Sequence, residues 1–196
     1  LLAVDLQSRL RQSQTIGNTI RVLAQTTSTN DEASRAALEG HPEGLVIFAE
    51  SQSAGRGRMG RRWSSPAGRG LWFSVLLRPS LAPGECTQLT AATANALARA
   101  IQSATGITPE IKWPNDLLIK GKKIAGILTE MSAEVEHVRS VILGIGIDVN
   151  QTASEFPADL RDIATSLKLA TGKTVSRADL AEEVLRELDR EYARIL

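Results

Sequence analysis

The sequence predicts an α+β fold, with helices flanking a central sheet that is mixed and mostly antiparallel. Three observations predict it. Helical and strand-like stretches come in blocks (helix, strands, helix, strands, helix) rather than in strict βαβ alternation. The strand candidates after residue 106 follow one another across short turns, as hairpin neighbours do. A chain of 196 residues, 42% hydrophobic and 23% charged, has ample core for one domain, read here as residues 1–196.

The elements follow in order. Leu1 to Gln12 has apolar residues at helical spacing and reads as a short helix. Thr19 to Ala24 alternates as a strand does. Ser28-Thr29-Asn30 stands where a helix cap belongs, before a helix over Asp31 to Glu39 that Gly40 ends. Leu45 to Glu50 and Leu71 to Arg78 are apolar strands. Pro83-Gly84 leads into a helix from Glu85 to about Thr105, with Leu89, Leu97 and Ile101 on one face and Gly106 beyond its end. Ile107 to Trp113 contains Pro109, which marks an edge or irregular strand. Asp116 to Lys120 and Lys123 to Met131 form a hairpin around Gly121-Lys122. Val138 to Val149 is apolar throughout, as a buried strand is. A short helix is predicted over Arg161 to Ala170. Ser176 to Asp179 carries a capping signal that opens a helix through Leu196, with Leu180, Val184, Leu188 and Tyr192 on one face.

Composition excludes several function classes. The net charge is +1, too small for a globally basic nucleic-acid coat. The charge is uneven: Glu50 to Gly70 holds five arginines and one acid, a local +4 that leaves the rest of the chain at −3. Cys86 is the only cysteine, so no internal disulfide can form, which suits a reducing cytosol; it reads as a helix-start or core residue. His41 and His137 are too few and too far apart for a zinc site. No apolar run approaches membrane-spanning length and no signal peptide is visible, so the expectation is a cytoplasmic protein.

Four clusters can carry chemistry. The first is Gly55-Arg56-Gly57-Arg58-Met59-Gly60-Arg61-Arg62-Trp63, which combines flexible backbone, fork-shaped cationic donors and an aromatic face. It matches G-x-G-x-x-G literally, but Ser64 to Gly70 cannot sustain the helix that a dinucleotide fingerprint needs. The chemistry it suggests is capture of an anionic small molecule, with the loop acting as a lid. The second is Lys112-Trp113-Pro114-Asn115-Asp116, whose polar groups are either plain turn formers or a site at the sheet rim. The third, Lys122-Lys123-Ile124-Ala125-Gly126-Ile127-Leu128, puts a lysine at the start of an apolar strand. The fourth, Gly144-Ile145-Gly146-Ile147-Asp148-Val149-Asn150, has two glycines in a buried strand, which means close packing, a bulge, or a flat ligand against the backbone. Ser28-Thr29-Asn30 serves either as a helix cap or as a cradle for a polar head group.

Taken in order, these clusters resemble the biotin protein ligase family over Thr26 to Val149. The pieces are Ser-Thr-Asn before a helix, Gln-x-x-Gly-Arg-Gly-Arg at Gln52 to Arg58, Lys-Trp-Pro-Asn-Asp, Lys-Ile-Ala-Gly-Ile-Leu and the Gly-Ile-Gly strand. The resemblance implies the synthetase-like fold of that family and a two-step ligase. Biotin and MgATP would give biotinyl-5′-AMP, and a lysine of a biotin carboxyl carrier protein would then take the biotinyl group. It implies biotin contacts at Ser28, Thr29, Asn30, Gln52, Gly57 and Lys123, with Trp72 and the glycines Gly126, Gly144 and Gly146 as walls. Arg56, Arg58 and Lys123 would neutralise the meeting anions. Asn115 and Asp148 fall on the adenylate side, with Trp63 over the adenine. Asp116 matches an aspartate that binds magnesium or orients the target lysine. A lipoate or octanoate ligase-like enzyme, or a non-catalytic biotin binder, are the alternatives.

Two residues depart from the family pattern. Met59 replaces a polar or basic loop residue, and Asp148 replaces an asparagine, which exchanges an amide for an acceptor-only carboxylate. Leu1 to Thr26 is too short for the family's winged-helix domain, so no DNA binding is expected, and its small C-terminal barrel is absent or omitted. A homodimer is compatible with the family's exposed sheet edges.

Overall fold

The structure, a computed structural model, describes residues 3–10, 15–134 and 137–196. Its strands are β1 (Thr19–Leu23), β2 (Leu45–Ala49), β3 (Leu71–Leu77), β4 (Glu110–Lys112), β5 (Asp116–Ile119), β6 (Lys122–Ala133) and β7 (Val138–Ile147). They form one seven-stranded sheet in the order β1-β2-β3-β7-β6-β5-β4. β1 and β2 run parallel, and the other neighbours are antiparallel. The sheet is therefore mixed and mostly antiparallel, as expected. Its helices are α1 (Ala3–Arg9), α2 (Thr29–Leu38), α3 (Thr87–Thr105), α4 (Leu167–Thr171) and α5 (Arg177–Ile195). The expected first helix extends to Gln12, of which Leu1, Leu2, Arg11 and Gln12 lie outside the described residues.

Strand periodicity decides which side chains meet which helix. In β3, Leu71, Phe73, Val75 and Leu77 join the main core with α3 and α5, together with Leu143, Ile145 and Ile147 of β7 and Ala125 and Ile127 of β6. The intervening positions face α2, where Ala33 and Ala36 pack against Leu76 and Ile142. α5 buries Leu180, Val184, Leu185 and Leu188, each contributing about 1.5–3 kcal/mol of hydrophobic stabilisation. Ser176 caps it by accepting from the Asp179 amide.

Local chemistry sets the boundaries. The β5–β6 hairpin turns at Lys120 and Gly121, whose φ values of 50° and 75° are those of the tight turn that matches strand twist. A 3₁₀ turn over Pro83–Cys86 precedes α3, which starts two residues later than the sequence predicts; Cys86 is both at the helix start and in the core. The helix predicted over Arg161 to Ala170 is corrected to α4, residues 167–171. Its first half is instead tied to the start of β6: the Lys123 amide donates to the Ile163 carbonyl at 2.8 Å, and the Thr165 amide to the Lys123 carbonyl at 2.9 Å. Ser166 then caps α4 through the Leu169 amide.

Candidate functional site

Strand register builds the floor of a cleft. One row across the sheet aligns Trp72, Gly146, Gly126 and Asp116, on β3, β7, β6 and β5 in turn. The next row aligns Ser74, Gly144 and Leu128, and the one after it Leu76, Ile142 and Glu130. α2 covers the third row and leaves the glycine rows to the cleft. The glycines are required by close approach. A Cβ on Gly144 would fall on Asn30 Oδ1, and one on Gly146 would lie 2.5 Å from the Trp63 ring. A Cβ on Gly126 would lie 2.8 Å from the same ring and 3.1 Å from Lys123 Nζ.

The N-terminus of α2 makes the polar end. Ser28 holds the N-cap position, yet its hydroxyl makes no capping bond. Gln52 takes that role: its Oε1 accepts from the Thr29 amide at 2.8 Å, while its Nε2 donates to Ser65 at 2.8 Å. Buried Ser74 reaches Thr29 Oγ1 at 2.8 Å and Asn30 Oδ1 at 2.5 Å. Ser28, Thr29 and Asn30 are themselves almost wholly buried. Hydroxyls and amides pinned in this way present fixed donors and acceptors to a polar, uncharged group.

The cations gather at the other end and along the loop. The loop folds back on itself, with the Trp63 amide donating to Gly55 and the Gly57 amide to Arg61. Its tip, Met59-Gly60, has φ of 58° and 73°, and Met59 is fully exposed there. Arg58 donates to Asn115 Oδ1 at 2.6 Å. Lys123 Nζ lies 2.7 Å from Asp116 Oδ1 and 5.1 Å from the Trp63 ring centroid. Arg56 donates to Asp31 at 2.5 Å and contacts Glu130 at 3.3 Å. Partial burial disfavours its charge, but the Asp31 bond and the two carboxylate charges outweigh this and raise its pKa.

The cleft encloses about 200 Å³. It is lined by Ser28, Thr29, Asn30, Gln52, Arg56, Gly57, Arg58, Trp63, Asn115, Asp116, Lys123, Gly126, Gly144 and Gly146, all singled out in the sequence. Trp72 and Asp148, both expected at the site, stand outside this lining. Trp72 is 1% exposed and meets Trp63 edge-on at 6.4 Å, so it backs the cleft rather than walling it. Asp148 is enclosed beneath the segment before α4: its amide donates to Ile124, its carbonyl accepts from Leu167, and its carboxylate accepts from Gln151. Burial pushes that carboxyl well above the usual carboxylate range, against the Gln151 bond and the Lys123 charge. Trp63 does not stand clear as a cover; its ring rests on the floor glycines, with Nε1 buried and unpartnered. Ile127 and Leu128, the end of the third cluster, also line the cleft; the sequence reading missed Glu130 behind it. Strand alternation from Gly126 carries the signal for Glu130.

The family model described as biotin/lipoate A/B protein ligase matches residues 22–148. The chain belongs to that family. It is 48% identical over 166 residues to the bifunctional ligase/repressor BirA of Bacillus spizizenii, covering 85% of this chain and 51% of that protein. It is 36% identical over 205 residues to the biotin--[acetyl-CoA-carboxylase] ligase of Mycobacterium tuberculosis, covering 100% of this chain and 73% of that one. Among solved structures, it matches the Aquifex aeolicus biotin protein ligase in complex with biotin and ATP, at 34% identity and a TM-score of 0.77, over 90% of this chain and 71% of that chain. The chain thus spans about half the length of the first of these relatives.

The same sheet and flanking helices recur in that neighbour. Among the described residues, no group of three acidic, histidine or cysteine side chains could hold a metal ion, and no helix is long and apolar enough to cross a membrane. Asp116 is the acidic residue that lines the cleft.

Proposed function

We propose that this chain joins biotin to ATP and passes the biotinyl group to a lysine of a biotin carboxyl carrier protein. In the first step, a biotin carboxylate oxygen attacks the α-phosphorus of MgATP. A P–O bond forms, pyrophosphate leaves, and biotinyl-5′-AMP remains. In the second step, the carrier amine attacks the acyl carbon of that anhydride, giving an amide, AMP and a released proton.

The observation that carries this reading is the division of one cleft into a neutral polar end and a cationic end. Ser28, Thr29, Asn30 and Gln52 suit a ureido head, whose few polar atoms all need partners once buried. Arg58 and Lys123 stand where a carboxylate and a phosphate would meet, and their charges offset the repulsion between two anions. Asn115 and Asp116 form the rim on that side, where the adenylate and the incoming amine would sit. Asp116 either meets the magnesium carried by ATP or holds the amine. Gly57 and Arg58 ride on the loop, so its closure would keep water from the anhydride. The Aquifex relative, in complex with biotin and ATP, supports the same pair of ligands here.

Incubation with biotin, MgATP and a carrier domain, followed by intact mass of the carrier, tests this. One biotinyl group per carrier is the expected result. Modification by lipoate or octanoate but not biotin would replace this reading with the lipoate-type one. Biotin binding without pyrophosphate release would leave a binder.

A further inference from the structure

We propose that Glu130 is a positioning residue that ties the glycine/arginine loop to the head-group end of the cleft. The inference rests on the biotin-activating reading above and concerns a residue outside the cleft lining.

Glu130 stands on β6 in the row beyond the glycines, paired with Ile142. Its Oε2 accepts from Asn30 Nδ2 at 2.8 Å. Both its oxygens lie 3.3 Å from one guanidinium nitrogen of Arg56. One carboxylate therefore touches the polar end through Asn30 and the lid through Arg56.

The chemistry at Asn30 is directional. A carboxylate only accepts, so the Asn30 amide must turn its Nδ2 toward Glu130. Its Oδ1 then faces the buried Ser74 hydroxyl, at 2.5 Å, and the Gly144 backbone. Without that acceptor the amide is free to flip, which exchanges the donor and acceptor it offers to a ligand. On the loop side, Arg56 has two anionic partners, Asp31 and Glu130. Arg56 is followed directly by Gly57 and Arg58, so whatever holds Arg56 also places the neighbouring lid residues. Loss of Glu130 thus disturbs both ends together, although no atom of it faces the ligand.

Two variants test this: Glu130→Ala, and the isosteric Glu130→Gln, which keeps the packing but loses the charge. The readouts are KM for biotin, KM for ATP, kcat, and the rate of tryptic cleavage at the loop arginines without ligand. Glu130→Ala should raise the biotin KM roughly tenfold or more, as loss of a charge-assisted hydrogen bond does, and Glu130→Gln, whose amide oxygen can still accept from Asn30, should raise it less. The ATP KM should rise severalfold less than the biotin KM, because only the loop contact reaches that end, and the loop should be cut several-fold faster. Unchanged biotin KM and unchanged cleavage in folded Glu130→Ala would overturn the proposal. So would equal rises in both KM values, or a fall in kcat alone. The cleavage assay needs no biotin. A wild-type chain inactive with biotin would sink the catalytic reading, while the cleavage comparison would still decide whether Glu130 anchors the loop.

Discussion

Lys123 and Asp116 form an ion pair of 2.7 Å between adjacent strands of one hairpin, and the same ammonium lies 5.1 Å from the centre of the Trp63 ring. The cation that would meet the reacting anions is thus already held by a carboxylate and an aromatic face. Removing it leaves Asp116 as uncompensated negative charge beside the site. Lys123→Met should therefore reduce adenylate formation by ~10²–10³-fold, the cost of losing one aligned donor to a developing charge. Single-turnover measurement of AMP-anhydride formation checks this, and a loss below tenfold would contradict it.

Gly144 admits Asn30 against the β7 backbone, so Gly144→Ala should push Asn30 aside. Overpacking of this kind costs about 1–3 kcal/mol of stability. Biotin affinity measured by calorimetry should fall much further than the unfolding midpoint explains. Retained affinity would mean that Asn30 is not part of the head-group cradle.

Arg58 reaches from the loop to Asn115, closing the lid over the cationic end. Arg58→Gly removes that strap together with a donor proposed to meet the phosphate. The expected outcome is faster escape of biotinyl-5′-AMP and labelling of lysines on bystander proteins. An adenylate off-rate equal to that of the wild type contradicts the lid.

Asp148 supplies a pH test. Its carboxyl is raised well above the ordinary value by burial, so the folded state holds the proton more tightly than the unfolded chain. Stability is full below the unfolded value and falls as pH rises toward the folded one. Asp148→Asn keeps an acceptor for Gln151 and cannot ionise. The variant and the wild type should have similar denaturation midpoints near pH 4, with the variant increasingly the more stable as pH rises toward 8. Parallel pH profiles would contradict this.

The parts of the fold visible in the sequence are those with local causes. Gly40 and Gly106 stop helices, Ser176 caps one, alternation marks β1, and apolar runs mark β2, β3 and β7. The charge cluster between residues 50 and 70 pointed to the loop, and the turn before β5 pointed to Asn115 and Asp116. Register between distant strands was not visible. Only the pairing of β3, β7 and β6 shows that Trp72, Gly146 and Gly126 share a row, and that Trp63 fills the space that the missing side chains leave. Residues 161–165 look helical by composition, yet a two-bond tie to Lys123 holds them otherwise. Glu130 reads as an ordinary exposed strand glutamate until Asn30, one hundred positions away, is seen to donate to it.

The most direct measurement is exchange of labelled pyrophosphate into ATP by the purified chain. With biotin and magnesium present, label should enter ATP; without biotin, or with Lys123→Met, it should not. A folded wild-type chain that binds both biotin and ATP yet exchanges no label would contradict the claim that this cleft brings the two anions together to react.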